Sequence, residues 1–108
     1  MLRSILITAV LLPIAAAEPP ARVRIVGLVV DASKKPIDVA VRVQVFAPDG
    51  RRLVTTFSDV HGRFLIELRE PAPSIVVTFT RNDSEGPQTV RIVAATRDTG
   101  LGQVTVPE

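Results

Sequence analysis

Val39-Ala40-Val41-Arg42-Val43-Gln44-Val45-Phe46 places a valine at every second position. In an extended chain residues i and i+2 point to the same side. The run therefore predicts one strand with a valine face and a second face of Ala40, Arg42, Gln44 and Phe46. Turn chemistry brackets it. Asp31 to Pro36 precedes it, and Pro48-Asp49-Gly50 follows, where Pro presets φ, Asp bonds its neighbouring backbone and Gly tolerates positive φ.

The same grammar extends in both directions. Upstream, Arg22 to Val30 reads as a strand, with Val23, Ile25, Gly27 and Val29 on one face and Arg22, Arg24, Val26, Leu28 and Val30 on the other. Downstream, Leu53 to Ser58 is a third strand, and Asp59-Val60-His61-Gly62 turns into a fourth with Phe64, Ile66 and Leu68 inward. Pro71 and Pro73 close that segment, because neither donates to a ladder. Ile75, Val77 and Phe79 mark a fifth strand. A sixth covers Thr89 to Ala95, with Val90 and Ile92 sharing a face. The last runs from Leu101 to Val106. Seven short strands without helical periodicity predict an all-β, seven-stranded antiparallel Greek-key β-sandwich.

Composition narrows the chemistry. The 108 residues include 13 Lys+Arg, 11 Asp+Glu, one His and no Cys, Trp or Tyr. Without cysteine there are no zinc fingers, thiol nucleophiles, iron–sulfur clusters or disulfides. The length predicts one domain with a modest core, burying roughly 60–65% of the surface the unfolded chain exposes. The N-terminal segment has a different pattern. Arg3 is followed by the apolar stretch Ile5 to Ile14 and the small residues Ala15, Ala16 and Ala17, the layout of a secretory signal peptide. That apolar stretch is shorter than the ~20 residues a spanning helix needs. The expectation is a signal peptide over 1–17, cleaved after Ala17, a domain over 18–108, an exported destination (periplasmic or extracellular), and no stable membrane span after processing. Cleavage removes one arginine and takes the net charge from +2 to +1. With no basic run and no Tyr or Trp for base stacking, nucleic acid is not an expected partner.

Gly27, Val29 and Asp31, then Pro36 and the valine strand, then Thr56, Asp59, Gly62 and Phe64 follow the pattern G-x-V-x-D, proline turn, strand, T-x-x-D-x-x-G-x-F. In this the chain resembles the carboxypeptidase regulatory-like domain, over about Val23 to Phe79. The resemblance implies a transthyretin-like (prealbumin-like) sandwich that occurs as an appended module in exported and cell-surface proteins. It implies no peptidase activity, which belongs to a separate zinc domain.

Few residues here are equipped for catalysis, and no catalytic, metal or cofactor site is expected. Ser58, Asp59 and His61 lie within one turn, whereas a triad's members usually come from distant segments. Hydroxyisourate hydrolases, similar in fold to the resembled family, use several His and a tyrosine-containing C-terminal motif, while this chain ends Val104-Thr105-Val106-Pro107-Glu108. Intradiol dioxygenases hold iron with two His and two Tyr. Asp31, Asp49, Asp59, Asp83 and Asp98 are scattered singly through turns without a D-x-D-x-D-G calcium loop, so they read as backbone caps. Lys34 and Lys35 in a turn and Asn82 in a loop are poorly placed for an internal isopeptide bond.

What remains is surface. Arg22, Arg24, Arg42 and Arg91 fall on non-core faces. Val26, Leu28 and Val30, interleaved with Arg24 and near Arg42 if their strands adjoin, form the candidate partner surface. The expected role is a non-enzymatic exported module for protein binding or a structural, accessory role, its partner an unidentified protein or a cell-envelope component. The alternative is a carbohydrate- or small-ligand-binding secreted domain, which requires a concave apolar or aromatic pocket.

Overall fold

Residues 22–81 and 88–107 are described by the computed structural model, and residues 1–17, expected from sequence to be a signal peptide, lie outside them, as do Asn82 and Asp83. The described chain is all-β. Its strands are β1 (Val23–Val30), β2 (Arg42–Phe46), β3 (Arg52–Phe57), β4 (Arg63–Leu68), β5 (Ala72–Thr80), β6 (Gln88–Ala95) and β7 (Thr99–Thr105). They form a three-stranded sheet in the order β4-β1-β7 and a four-stranded sheet in the order β3-β2-β5-β6.

Alternation decides what each strand buries. Val43 and Val45 of β2, with Ile75, Val77 and Phe79 of β5, meet Val23, Ile25 and Val29 of β1 and Phe64, Ile66 and Leu68 of β4 in one core. The Phe64 and Phe79 rings pack edge to face at 5.3 Å, the arrangement favoured by their quadrupoles. Gly27 stands directly opposite Phe64 across the β1/β4 pair. A Cβ on Gly27 would sit 2.6 Å from that ring, so the glycine leaves the space the ring fills.

The turn between β3 and β4 locks this end. Asp59 Oδ1 accepts the amides of His61 and Arg63, each at 2.9 Å, and the Gly62 amide donates to the Asp59 carbonyl. Gly62 has φ +82° and its carbonyl accepts the Val29 amide at 2.7 Å, which fastens the turn onto β1. Asp31 does the same in its own turn, accepting the amides of Ser33 and Lys35.

Five sequence expectations need correction. The sheets are not wholly antiparallel: β7 runs parallel to β1, which is possible because intervening strands carry the chain round both sheets before it returns. Val39 is 49% exposed and precedes β2; Ile37 fills the core instead, and the Val41 amide turns aside to donate to Ser58 Oγ. Val30 is buried, because a bridge to Pro36 and a bond from the Val106 amide cover the end of β1. Pro73 lies inside β5, where the β5/β6 register shifts between Ala72 and Ile75, an irregularity that accommodates a missing donor. Arg91 shares the inward side of β6 with Val93 and Ala95, half-buried at the sheet edge, so Val90 and Ile92 face out.

Candidate interaction surfaces

The residues grouped as a partner surface divide between the two sheets. Arg24, Val26 and Leu28 lie on β1 in the smaller sheet, Arg42 lies on β2 in the larger one, and Val30 is in the interior. Arg42 therefore contributes to a different outer face.

On the smaller sheet, Val26 pairs with Leu65 and Leu28 with Arg63 across β1/β4. Val26 and Leu65 are both exposed. On the other side of β1 lies Gly100 opposite Val26, with Gly102 close by, and neither glycine has a heavy atom within 4 Å of where a Cβ would stand. Bare backbone beside apolar side chains makes a shallow trough of about 470 Å³. Arg24 and Glu67 close one end of the face with an exposed ion pair at 3.5 Å, a contact worth little to stability.

The larger sheet presents three cross-strand rows. Arg42 stands between Phe57 and Thr80, Gln44 between Thr55 and Thr78, and Phe46 between Arg52 and Val76. The rows continue onto β6 as Gln88, Val90 and Ile92. Phe57, Val90 and Ile92 are exposed by more than half, Ile92 by 75%. In the middle of the face Thr78 and Thr80 are almost covered, and their hydroxyls have no hydrogen-bond partner; neither does Arg42 Nε. A covered hydroxyl left unpaired costs about 1–3 kcal/mol, so the centre of this face carries a local cost to stability. Sequence periodicity identified the strands that carry these residues. It could not bring them together, because the rows depend on the order of β3, β2, β5 and β6.

A third feature is a cleft of about 500 Å³ at the end of the molecule opposite the Asp59 turn. Leu53, Val54, Leu68 and Ile75 line it, with Pro48, Pro71 and Pro73 and the charged Arg51, Glu67 and Glu70. Leu53 reaches it through the irregularity in β3, where the β2/β3 register shifts between Val45 and Phe46.

The residues with catalytic letters are engaged otherwise. Ser58 is buried with its Oγ accepting the Val41 amide, and Asp59 caps its own turn. These backbone bonds, chiefly that from Arg63, hold the Asp59 carboxyl below the usual carboxylate range. His61 is exposed. Asp49 Oδ1 accepts the Arg51 amide, Asp98 Oδ1 accepts the Arg24 amide, and Lys34 Nζ donates to Thr105 Oγ1. Among the described residues no three His, Asp or Glu side chains are grouped to hold a metal ion, and no helix is long and apolar enough to cross a membrane.

With the fold an all-β pair of sheets, comparison with known proteins adds little. No protein-family model matches the chain, and no curated protein matches it. Among solved structures it is similar to a 9R-lipoxygenase from Cyanothece PCC8801, at 18% identity and a TM-score of 0.48, over 95% of this chain and 18% of that one. The chain thus spans less than a fifth of that enzyme's length.

Proposed function

We propose that the protein is an exported, non-enzymatic binding module of the carboxypeptidase regulatory-like kind, with a transthyretin-like Greek-key sandwich as its scaffold. The destination rests on the signal-peptide pattern of residues 1–17. The family reading is supported by the way its motif residues converge. Gly27 and Phe64 share one space, Gly62 fastens its turn to Val29, and Asp31 and Asp59 cap the turns beside them.

One observation carries the binding role: apolar side chains stand exposed on both outer sheet faces, Val26 and Leu65 on the smaller sheet and Val90 and Ile92 on the edge strand β6 of the larger. Such placement marks surfaces that contact other molecules. Affinity capture with the processed chain, compared with Val26→Glu and Ile92→Lys variants, tests it. The expected result is a bound protein lost with one of the substitutions while the melting transition stays in place. Identical capture by all three chains, or capture of nothing, rejects the reading.

A small-ligand role is the second reading, favoured by the cleft above Leu68 and Ile75. An apolar ligand there would raise the melting temperature, and Ala72→Phe would abolish that rise by filling the cleft. A full screen without any shift removes this reading.

A further inference from the structure

Arg91 is the residue that packing explains least. On β6 it shares the inward side with Val93 and Ala95, and it stands opposite the fully buried Val77 of β5. Its side chain has no ion pair or hydrogen bond among the described residues. A half-buried guanidinium without a partner brings its own chain a desolvation cost and no contact in return, so a valine in step with Val93 would suit the position better.

The edge of the sheet supplies a reason. An end strand carries a row of free amide and carbonyl groups that take up another extended strand unless something prevents it. Elsewhere shape does so. β3 and β4 lie against each other and close one side of the molecule. β7 is bulged opposite Gly27, where Leu101 and Gly102 share one partner and Gly102 has φ +69°. β6 has neither protection: it pairs with β5 in unbroken register from Gln88 to Val93, holds no proline or glycine, and exposes Val90 and Ile92. Arg91 is its one charge.

Pairing β6 with the β6 of a second copy shows what that charge does. Only registers that set odd residues against odd keep both inward sides on one face, so end-to-end overlap of Gln88 with Ala95 is mismatched. A register centred on Arg91 puts two arginines directly opposite, with Cβ atoms about 5 Å apart. Centring on Ile92 instead lays each guanidinium beside Val93 of the other copy, and further shifts shorten the paired segment. From this we infer that Arg91 holds the free edge of β6 closed to strand addition, keeping a long, regular and apolar edge from pairing with a second copy.

Sedimentation velocity and melting of the processed chain test it. Wild type is expected to stay monomeric to about 100 µM, and Arg91→Val to associate at a concentration lower by about tenfold or more. The melting transition of the dilute variant should stay in place or rise, and amide exchange should slow along Gln88–Ala95 once it associates. Arg91→Lys keeps the charge and should remain monomeric. Arg91→Gln, which keeps a long polar stem without the charge, should associate too and covers the case in which valine disturbs folding. Adding Ile92→Lys to Arg91→Val returns a charge to the same edge and should restore the monomer, whereas Phe57→Lys, on β3 at the far edge of that sheet, should not. The inference is overturned if Arg91→Val and Arg91→Gln both stay monomeric, or if their association follows a fall in melting temperature. It is equally overturned if wild type already pairs through β6, or if association of Arg91→Val is indifferent to Ile92→Lys.

Discussion

The turn end of the molecule and the outer face of its larger sheet show opposite ways of using polar groups. At the turn end, Asp59 accepts two amides, the Gly62 carbonyl takes the Val29 amide, and Gly27 yields its space to Phe64. On the face, the Thr78 and Thr80 hydroxyls and Arg42 Nε bond to nothing, with exposed apolar side chains beside them. One region is closed to change because its contacts are complete. The other tolerates change because the polar atoms it covers have no partner to lose.

The largest break in that contrast is expected from Gly62→Ala. Its Cβ would lie 2.7 Å from the Val29 carbonyl oxygen at a φ of +82°. A loss of about 3–4 kcal/mol in urea unfolding is expected from strain plus a displaced backbone bond; a loss below about 1 kcal/mol would show the turn to be pliable.

Gly27→Ala comes next, at about 2–3 kcal/mol, since its methyl meets the Phe64 ring. A double-mutant cycle with Phe64→Leu sharpens the point. The two changes should compensate in part, and strictly additive losses would mean that the ring and the glycine do not share that space.

On the face the sign reverses. Thr78→Val keeps the side-chain shape and removes an unpaired hydroxyl, so thermal unfolding of the dilute chain should show a gain of about 1 kcal/mol. A loss of the same size would place a bonding partner on that hydroxyl.

The smallest effect is the acid response of Asp59. Its carboxyl titrates below its ordinary value in the folded chain, so its contribution is fully present above the unfolded value of about 3.9 and lost as pH falls through the folded one. Asp59→Asn should flatten the fall of the urea midpoint across that acidic window. Parallel profiles for wild type and variant would assign the acid sensitivity to other carboxylates.

Much of the closed region was readable in advance, because its determinants are local. Asp59, Gly62 and Phe64 are a few residues apart, and the inward set Phe64, Ile66 and Leu68 follows from period two alone. Errors arose where a distant segment decided the outcome. Val30 looks outward until Pro36 and Val106 are laid against it, and Val39 continues the valine period until Ile37 takes its place in the core. On β6 the apolar Val90 and Ile92 stand outside, while Arg91 occupies the inward side at an edge where solvent reaches it. The candidate surface was the least legible. Arg24 and Arg42 carry the same charge on similar strands, yet sheet membership alone separates them, and no local pattern records sheet membership.

The parallel pairing of β1 with β7 also bears on the order of assembly. The smaller sheet draws its strands from the first, fourth and last positions in the described chain, so no continuous fragment can build it. Closing so wide a loop is slow, and its reward comes only when β7 arrives. The larger sheet, by contrast, is drawn wholly from strands between Arg42 and Ala95, so it can pair before β7 is available, and the smaller sheet is the part that must wait for the end of the described chain.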